Sequence, residues 1–224
     1  ADCGAALIDE LVITTGKVLN IDEKTNNIIF PNDITKIVSL GYSSIKELVI
    51  PDTLIEMNKD ALINCRNIET LVLPFLGKNI DSPDTITYLS EKIHENPIKN
   101  ITITLQDVIA ESAFYGVLAE TITYEQEVKL IGNYAFYDCY NLKEFELTES
   151  LNSIGDFTFY GCKALEKIIY YATESQWNAL IKNVSGTPAC EIFCLVTNPT
   201  HNLLMTKRIE ATCTQNGNID YWTC

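Results

Sequence analysis

The chain has 224 residues, 46% of them hydrophobic, and its 30 acidic and 16 basic residues give a formal net charge of −14. Phosphate backbones are bound by clustered Lys and Arg, and no basic stripe occurs, so a nucleic-acid partner is not expected. No run of about 18 or more apolar residues occurs either, so no membrane span is predicted. The acidic balance is typical of self-repelling soluble surfaces, and it also suits a cationic partner.

The first 30 residues read as two short strands. Lys17–Ile21 and Asn27–Pro31 are strand-like and are joined by the polar loop Asp22–Asn26. The residues that follow repeat, and a repeat array exposes an apolar end that needs covering. We therefore expect residues 1–30 to form an N-terminal cap. Because the chain opens at Ala1 without a leader pattern, we interpret it as a mature or trimmed form.

Residues 31–185 contain an internal repeat. The two clearest copies, Ile131–Leu147 and Ile154–Tyr170, are offset by 23 residues. Each contains Ile-Gly, then Phe-Tyr, then Cys three residues after the Phe, and then an apolar segment. Less complete copies begin at Ile37, Met57 and Ile109, and Ile98–Ile103 adds a strand without a clear preceding partner. The Ile109 copy is one residue short between its Phe-Tyr pair and its apolar segment.

A period of about 20–29 residues around an L-x-x-L-x-L core is typical of leucine-rich repeats. The predicted fold is an α/β leucine-rich-repeat solenoid, a right-handed β/α superhelix. It has short concave strands, an irregular or short-helical convex side and one helical insertion. Phe136 and Phe159 should lie over one another in the core. Cys65, Cys139 and Cys162 should form a buried column of thiols, with a disulfide between neighbouring copies as the alternative.

The helical insertion is predicted at about residues 74–97. Ser82–Asp84 places a Pro and an acid at a helix start, and Asn96–Pro97 ends the segment. Apolar residues follow helical spacing between them, at Ile86, Leu89 and Ile93. Long insertions either embellish the packing or carry function, and the sequence leaves both possibilities open.

Residues 186–224 differ in character from the repeats. Cys190–Val196 predicts a last, capping strand. Thr200–Asn202 then opens a polar, hairpin-like segment with Asn216–Gly217 at its turn. Thr212–Cys224 reads as the start of a small Cys-containing segment that is cut short at the end of the chain.

Few residues suggest catalysis or metal binding. The two histidines, His94 and His201, lie in no zinc-protease motif, and no nucleophile elbow, Walker loop or dinucleotide fingerprint occurs. His201 could join Cys213 and Cys224 as zinc ligands, but their spacing is loose and no C-x-x-C pair is present. We therefore predict no catalytic residues, no metal, no cofactor and no enzymatic activity.

The concave strands offer a surface for a partner. In each strand, the residue before the last apolar position should face away from the core. This row is Val49, Val72, Thr102, Thr123, Glu146 and Ile169. The row is β-branched except for Glu146, which reflects either strand propensity or a mildly apolar binding strip. The hypothetical binding site consists of Val72, Thr102, Thr123, Glu146 and Ile169.

The repeat resembles a known family. Ile131–Leu142 reads IGNYAFYDCYNL and is similar to the BspA-like leucine-rich repeats of bacterial cell-surface proteins; the Ile154 copy differs at Thr158, where the pattern has Ala. The resemblance extends from about Ile34 to Trp177. It implies a secreted or cell-surface location and adhesion to host or matrix proteins, with an extracellular protein or glycan as partner. It carries over no catalytic residues. The alternative is a structural spacer or stalk within a larger surface protein.

Overall fold

The structure is a computed structural model. It describes residues 11–12, 18–20, 28–31, 33–40, 45–58, 61–62, 65–77, 79–81, 98–195, 204–205 and 222–223.

In chain order the strands are β1 (Leu11–Val12), β2 (Val18–Asn20), β3 (Ile28–Ile29), β4 (Lys36–Ser39), β5 (Glu47–Val49), β6 (Glu56–Met57), β7 (Thr70–Leu73), β8 (Asn100–Ile103), β9 (Val108–Ile109), β10 (Thr121–Tyr124), β11 (Leu130–Ile131), β12 (Glu144–Thr148), β13 (Ser153–Ile154), β14 (Lys167–Tyr171), β15 (Glu191–Cys194), β16 (Leu204–Met205) and β17 (Trp222–Thr223). A short helix, α1 (Glu174–Ile181), lies between β14 and β15.

Two rows of parallel strands run along the solenoid. The concave row contains the longer strands, in which β5, β7, β8 and β10 form one ladder and β12, β14 and β15 form another. The second row contains the ladders β2–β4–β6 and β9–β11–β13. Because each ladder joins the same strand of successive repeats, every repeat forms one coil stacked on its neighbours. The leucine-rich-repeat solenoid predicted from the spacing is therefore confirmed.

The core lies between the two rows. Side chains alternate between the two faces of a strand, so alternate residues of each concave strand point inward. The inward residues at the strand centres are at most 3% exposed: Leu48, Leu71, Ile101, Ile122, Phe145 and Ile168. Leu71 pairs in register with Ile101, and Phe145 with Ile168. The buried cluster continues along the solenoid as far as Trp177.

Three successive coils turn at a Phe-Tyr pair, on the convex side. Backbone hydrogen bonds join neighbouring turns: Phe114 N donates to Ala135 O at 2.8 Å, and Phe136 N donates to Thr158 O at 2.9 Å. The Phe114, Phe136 and Phe159 rings stack with centroids 5.2 and 5.1 Å apart. The predicted superposition of Phe136 on Phe159 is confirmed.

Among the described strands, the concave row is interrupted between β10 and β12, and we call this interruption the seam. β10 begins one residue sooner after its stacked ring, Phe114, than β12 does after Phe136. The two strands form no ladder, although Lys143 N still donates to Glu120 O at 3.2 Å. The one-residue shortening of the Ile109 copy therefore changes the structure. The convex turns stay stacked on both sides of it, but the concave strands β10 and β12 do not pair.

Two polar atoms are left without partners at the ends of the strands that flank the seam. The Tyr124 hydroxyl and the Thr148 Oγ1 are buried and make no hydrogen bond. Burial raises the pKa of the Tyr124 phenol well above its ordinary value. Buried polar groups are usually paired, so these two atoms indicate a poorly satisfied part of the core.

Helix α1 follows the last complete repeat and was not predicted. Thr173 caps it with a capping box, in which Gln176 N donates to Thr173 Oγ1 at 3.2 Å and Thr173 N donates to Gln176 Oε1 at 3.0 Å. The helix buries Trp177, whose ring centroid lies 5.6 Å from that of Tyr170. The Thr-x-x-Gln spacing is the sequence signal that could have identified it.

The segments at both ends of the chain contain the short strands expected from the sequence. The strands expected at Lys17–Ile21 and Asn27–Pro31 are present as β2 and β3; β2 pairs with β4, and β3 pairs with β1. β15 is the last strand expected within Cys190–Val196. β16 and β17 pair antiparallel, as a hairpin-like segment requires, while the turn at Asn216–Gly217 lies outside the described residues. The predicted helix over residues 82–97 also lies outside them.

Candidate functional site

The structure places all five predicted binding residues on the outward face of the concave row. Val72 pairs with Thr102, and Thr102 pairs with Thr123. Glu146 pairs with Ile169 in the second concave ladder. The seam divides the five residues into these two groups. Their alignment follows from the repeat, whereas their role in binding stays a prediction.

On the N-terminal side of the seam, polar side chains bond to one another across strands. The Thr121 hydroxyl donates to Asn100 Oδ1 at 2.7 Å, and Asn100 Nδ2 donates to Thr70 Oγ1 at 3.4 Å. The hydroxyls of Thr102 and Thr123 lie 3.0 Å apart. This part of the face therefore satisfies much of its own hydrogen-bonding capacity.

On the C-terminal side of the seam, the face is more acidic and more apolar. The Tyr171 hydroxyl donates to Glu146 Oε2 at 3.3 Å, which leaves acceptor capacity on that carboxylate. Phe193 pairs in register with Ile169, and both side chains are half-buried. Beside them, Lys167 forms an ion pair with Glu144 at 2.8 Å. Tyr171 and Phe193 were not predicted, although aligning the expected last strand with the repeats would have placed Phe193 in the row.

A ladder of alternating charge runs along the edge at which the concave strands begin. The residues immediately before successive strands are Lys46, Glu69, Lys99, Glu120, Lys143 and Glu166. Glu69 lies 3.3 Å from Lys46 and 2.8 Å from Lys99, and Glu120 pairs with Lys143. The hydrogen bond from Lys99 lowers the pKa of Glu69, and the one from Lys143 lowers the pKa of Glu120. Like charges stacked here would repel one another, so the alternation favours this register.

The described cysteines are free thiols, including Cys65 and Cys139 in the core. Cys139 Sγ donates to Phe114 O at 3.0 Å, and Cys162 Sγ makes the same bond one coil later, also at 3.0 Å, to Phe136 O. Burial of Cys139 raises its pKa well above the ordinary value, so its thiol is protonated and unreactive.

The predicted thiol column needs correction in two respects. Val117 occupies the matching position one coil before Cys139, so the column is not continuous from Cys65. Cys162 is only half-buried, because it lies nearer the end of the stack of turns. Burial also raises the pKa of the half-buried Cys190, to about 11.

Within the described part of the chain, no group of three or more His, Cys, Asp and Glu side chains is arranged to hold a metal ion. His94, His201, Cys213 and Cys224 lie outside that part, so the zinc alternative is not tested. None of the described helices is long and apolar enough to cross a membrane.

Two solved structures are similar: a leucine-rich repeat protein from Bacteroides ovatus, at 18% identity and a TM-score of 0.46, and a leucine rich cell surface protein from Faecalibacterium prausnitzii, at 13% identity and a TM-score of 0.33. The alignments cover 72% and 81% of this chain, which spans 47% and 63% of the respective proteins. No curated protein matches the sequence.

The family model described as BspA type leucine rich repeat region matches residues 19–83 and 76–179, in six copies. These matches span well over half of the 224 residues and include every concave strand from β5 to β14. The chain belongs to the BspA-type leucine-rich-repeat family.

Proposed function

We propose that this chain is a non-catalytic binding module, secreted or displayed at the cell surface, which adheres to host or matrix proteins through its concave face. Membership of a repeat family with a binding or structural fold supports this proposal. Solenoids bind partners through such extended faces. The partner is an extracellular protein or glycan, and the net charge of −14 argues against a nucleic acid.

The observation that carries the proposal is the set of side chains on the C-terminal side of the seam that still offer hydrogen-bond acceptors and apolar surface to a partner. Glu146 keeps acceptor capacity beyond its 3.3 Å bond from Tyr171. Ile169 and Phe193 present partly exposed apolar surface beside it. A polar rim next to apolar and aromatic groups is the usual composition of a protein interface.

The test measures binding of the purified chain to a panel of matrix proteins and glycans by surface plasmon resonance. A Thr123→Lys, Ile169→Lys double variant places two charges on the concave face. Val108→Lys with Leu130→Lys is the matched control, because these exposed strand residues belong to the second row. Saturable binding that is lost only in the concave variant would support the proposal; binding that survives in that variant would contradict it.

A second candidate is a structural spacer that displays another domain of a longer protein. The observation in its favour is the N-terminal part of the face, where the Thr102 and Thr123 hydroxyls bond to one another. A spacer predicts no saturable binding by this chain. The double variant should then behave like the native protein in every assay, with function belonging to a different segment.

We also propose the domain division suggested by the sequence, with a cap at 1–30, repeats at 31–185 and a C-terminal segment at 186–224. The pairing of β2 with β4 joins the first segment to the second row. Deletion of residues 1–30 should therefore leave an apolar coil edge exposed and promote aggregation, which light scattering would detect.

A further inference from the structure

The convex side carries an exposed aromatic surface that the concave proposal does not use. We call it the aromatic ridge, and define it as Tyr115, Tyr134, Tyr137, Phe157 and Tyr160. Tyr115, Tyr134 and Tyr160 are 44%, 36% and 51% exposed. Tyrosines are enriched among the residues that dominate binding at protein interfaces, whereas isolated exposed apolar residues need no explanation.

The ridge is rigid because its rings stack from coil to coil. Tyr115 stacks on Tyr137 with centroids 5.0 Å apart, and Tyr137 stacks on Tyr160 at 5.3 Å. Tyr134 stacks on Phe157 at 5.6 Å. Side chains that are already ordered lose little conformational entropy when a partner binds.

The ridge places two aromatic residues at a left-handed backbone position that recurs in successive turns. Tyr134 and Phe157 have φ angles of 55° and 53°, in the left-handed region that glycine adopts most easily. Bulky residues there are uncommon, and such strain concentrates at functional sites. The matching position one coil earlier is Ser112, also at φ 55°, so the turn itself does not need an aromatic residue.

The charge around the ridge is negative. Glu111, Asp138 and Asp156 lie in the same turns as the ridge, and Lys163 follows Tyr160 by three residues. Lys163 Nζ lies 4.8 Å from the centroid of the Tyr140 ring, which shows that a cation is accommodated on aromatic groups of this side. Glu111 and Asn133 also line part of a groove of about 720 Å³, which the ridge rings themselves do not line.

We propose that the aromatic ridge is a second interaction surface, which binds a segment of a partner protein that combines arginine with apolar side chains. Arginine pairs with carboxylates, and apolar side chains pack against the exposed ring edges, so such a segment fits both components of this surface. A glycan requires open ring faces, but the inner faces of the ridge rings are covered by one another. A second copy of this chain is disfavoured because both copies carry a charge of −14.

The experiment uses the whole chain and a fluorescein-labelled peptide of alternating arginine and leucine, with a glutamate–leucine peptide of equal length for comparison. Fluorescence anisotropy should show saturable binding of the arginine peptide only. Tyr134→Gly removes an exposed ring and relaxes the strained φ, so this variant should fold. We expect Tyr134→Gly and Tyr160→Ala each to weaken binding about tenfold.

Charge is tested by a matched pair of variants. Glu111→Gln should weaken peptide binding, whereas Glu47→Gln removes an exposed carboxylate from the concave face and should leave binding unchanged. Equal losses in both charge variants, unaltered binding in Tyr134→Gly, or no binding by the native chain would each overturn the proposal. Binding of the neutral oligosaccharide cellohexaose that is lost in Tyr160→Ala would also overturn it. The Thr123→Lys, Ile169→Lys variant should bind the peptide normally, which separates this surface from the concave one.

Discussion

At the scale of single residues, the Ile-Gly pair of the repeat has a steric cause. A Cβ added to Gly132 would lie 2.4 Å from Glu111 N, and one added to Gly155 would lie 2.4 Å from Asn133 N. The backbone of the preceding coil therefore occupies the space of a side chain. Ala110 occupies the same position one coil earlier, so a residue without a Cβ is required only from Gly132 onward.

Replacing Gly155 with alanine should destabilise the protein by about 1–3 kcal/mol, because the added methyl forces two coils apart. Urea denaturation followed by circular dichroism would measure the change. Ala110→Gly is the matched control and should cost only about 0.5–1 kcal/mol. Equal stability of Gly155→Ala and the native protein would show that the coils can separate freely.

Cys139 should resist alkylation while the protein is folded, since its thiol is buried, bonded to Phe114 O and held protonated. Iodoacetamide labelling at pH 8, read by peptide mass spectrometry, should modify Cys139 only after denaturant is added. The half-buried Cys194 provides the internal comparison and should react sooner. Rapid labelling of native Cys139 would contradict the packing described here.

At the scale of elements, the alternating charges favour the observed pairing of neighbouring strands. Reversing Lys143 to glutamate should destabilise the protein, because it would then face Glu120 and Glu166 across the strand entries. The double change Glu120→Lys, Lys143→Glu should recover part of that loss. A double-mutant cycle from chemical denaturation would measure the coupling, and additive effects would show that the pair contributes nothing.

The seam should also be visible in hydrogen exchange. β12 has a laddered partner in β14 but none in β10, whereas β14 has partners on both sides. Backbone amides of β12 should therefore exchange faster than those of β14, since fewer of them are locked in a ladder. Exchange followed by mass spectrometry would measure this, and equal protection in both strands would show that the seam is closed in solution.

At the scale of the whole molecule, the ion pairs along the concave edge link stability to pH. The pKa values of Glu69 and Glu120 are lowered from 4.5 by their lysine partners, so their contribution is present above about pH 4.5 and disappears as the pH falls through the folded values. The pKa of Lys99 is raised from 10.5, so its contribution is lost only as the pH rises above that range. Thermal unfolding from pH 7 to pH 3 should show a falling midpoint, and Glu120→Gln should flatten this fall.

Most of the fold was predictable because each copy of the repeat carries the same pattern of buried apolar and aromatic residues. Periodic apolar residues placed the concave strands, and the aromatic position placed Phe136 over Phe159. The second strand row was missed because strands such as β9 and β11 are only two residues long. Helix α1 was missed because it occurs once and outside the repeat.

The candidate sites were less predictable, for a physical reason. Spacing identifies which residues of a strand face outward, and so it placed Ile169 and Glu146 in one row. Spacing does not show that Phe193 continues the row until β15 is aligned with β14. It also does not reveal that Tyr134 adopts a left-handed conformation, because that depends on the hydrogen bonds between turns.

The seam has a mechanical consequence. If a pulling force is applied along the solenoid axis, a complete junction between coils carries the load through a concave ladder, a second-row ladder and stacked turns. At the seam the first of these elements is missing, so the β9–β11 ladder and the Phe114–Phe136 stack carry the load there. Under tension the seam should therefore separate before the junction on its C-terminal side, which has both the β12–β14 and the β11–β13 ladders. The loss of one residue from a single loop thus makes this junction weaker than its neighbour.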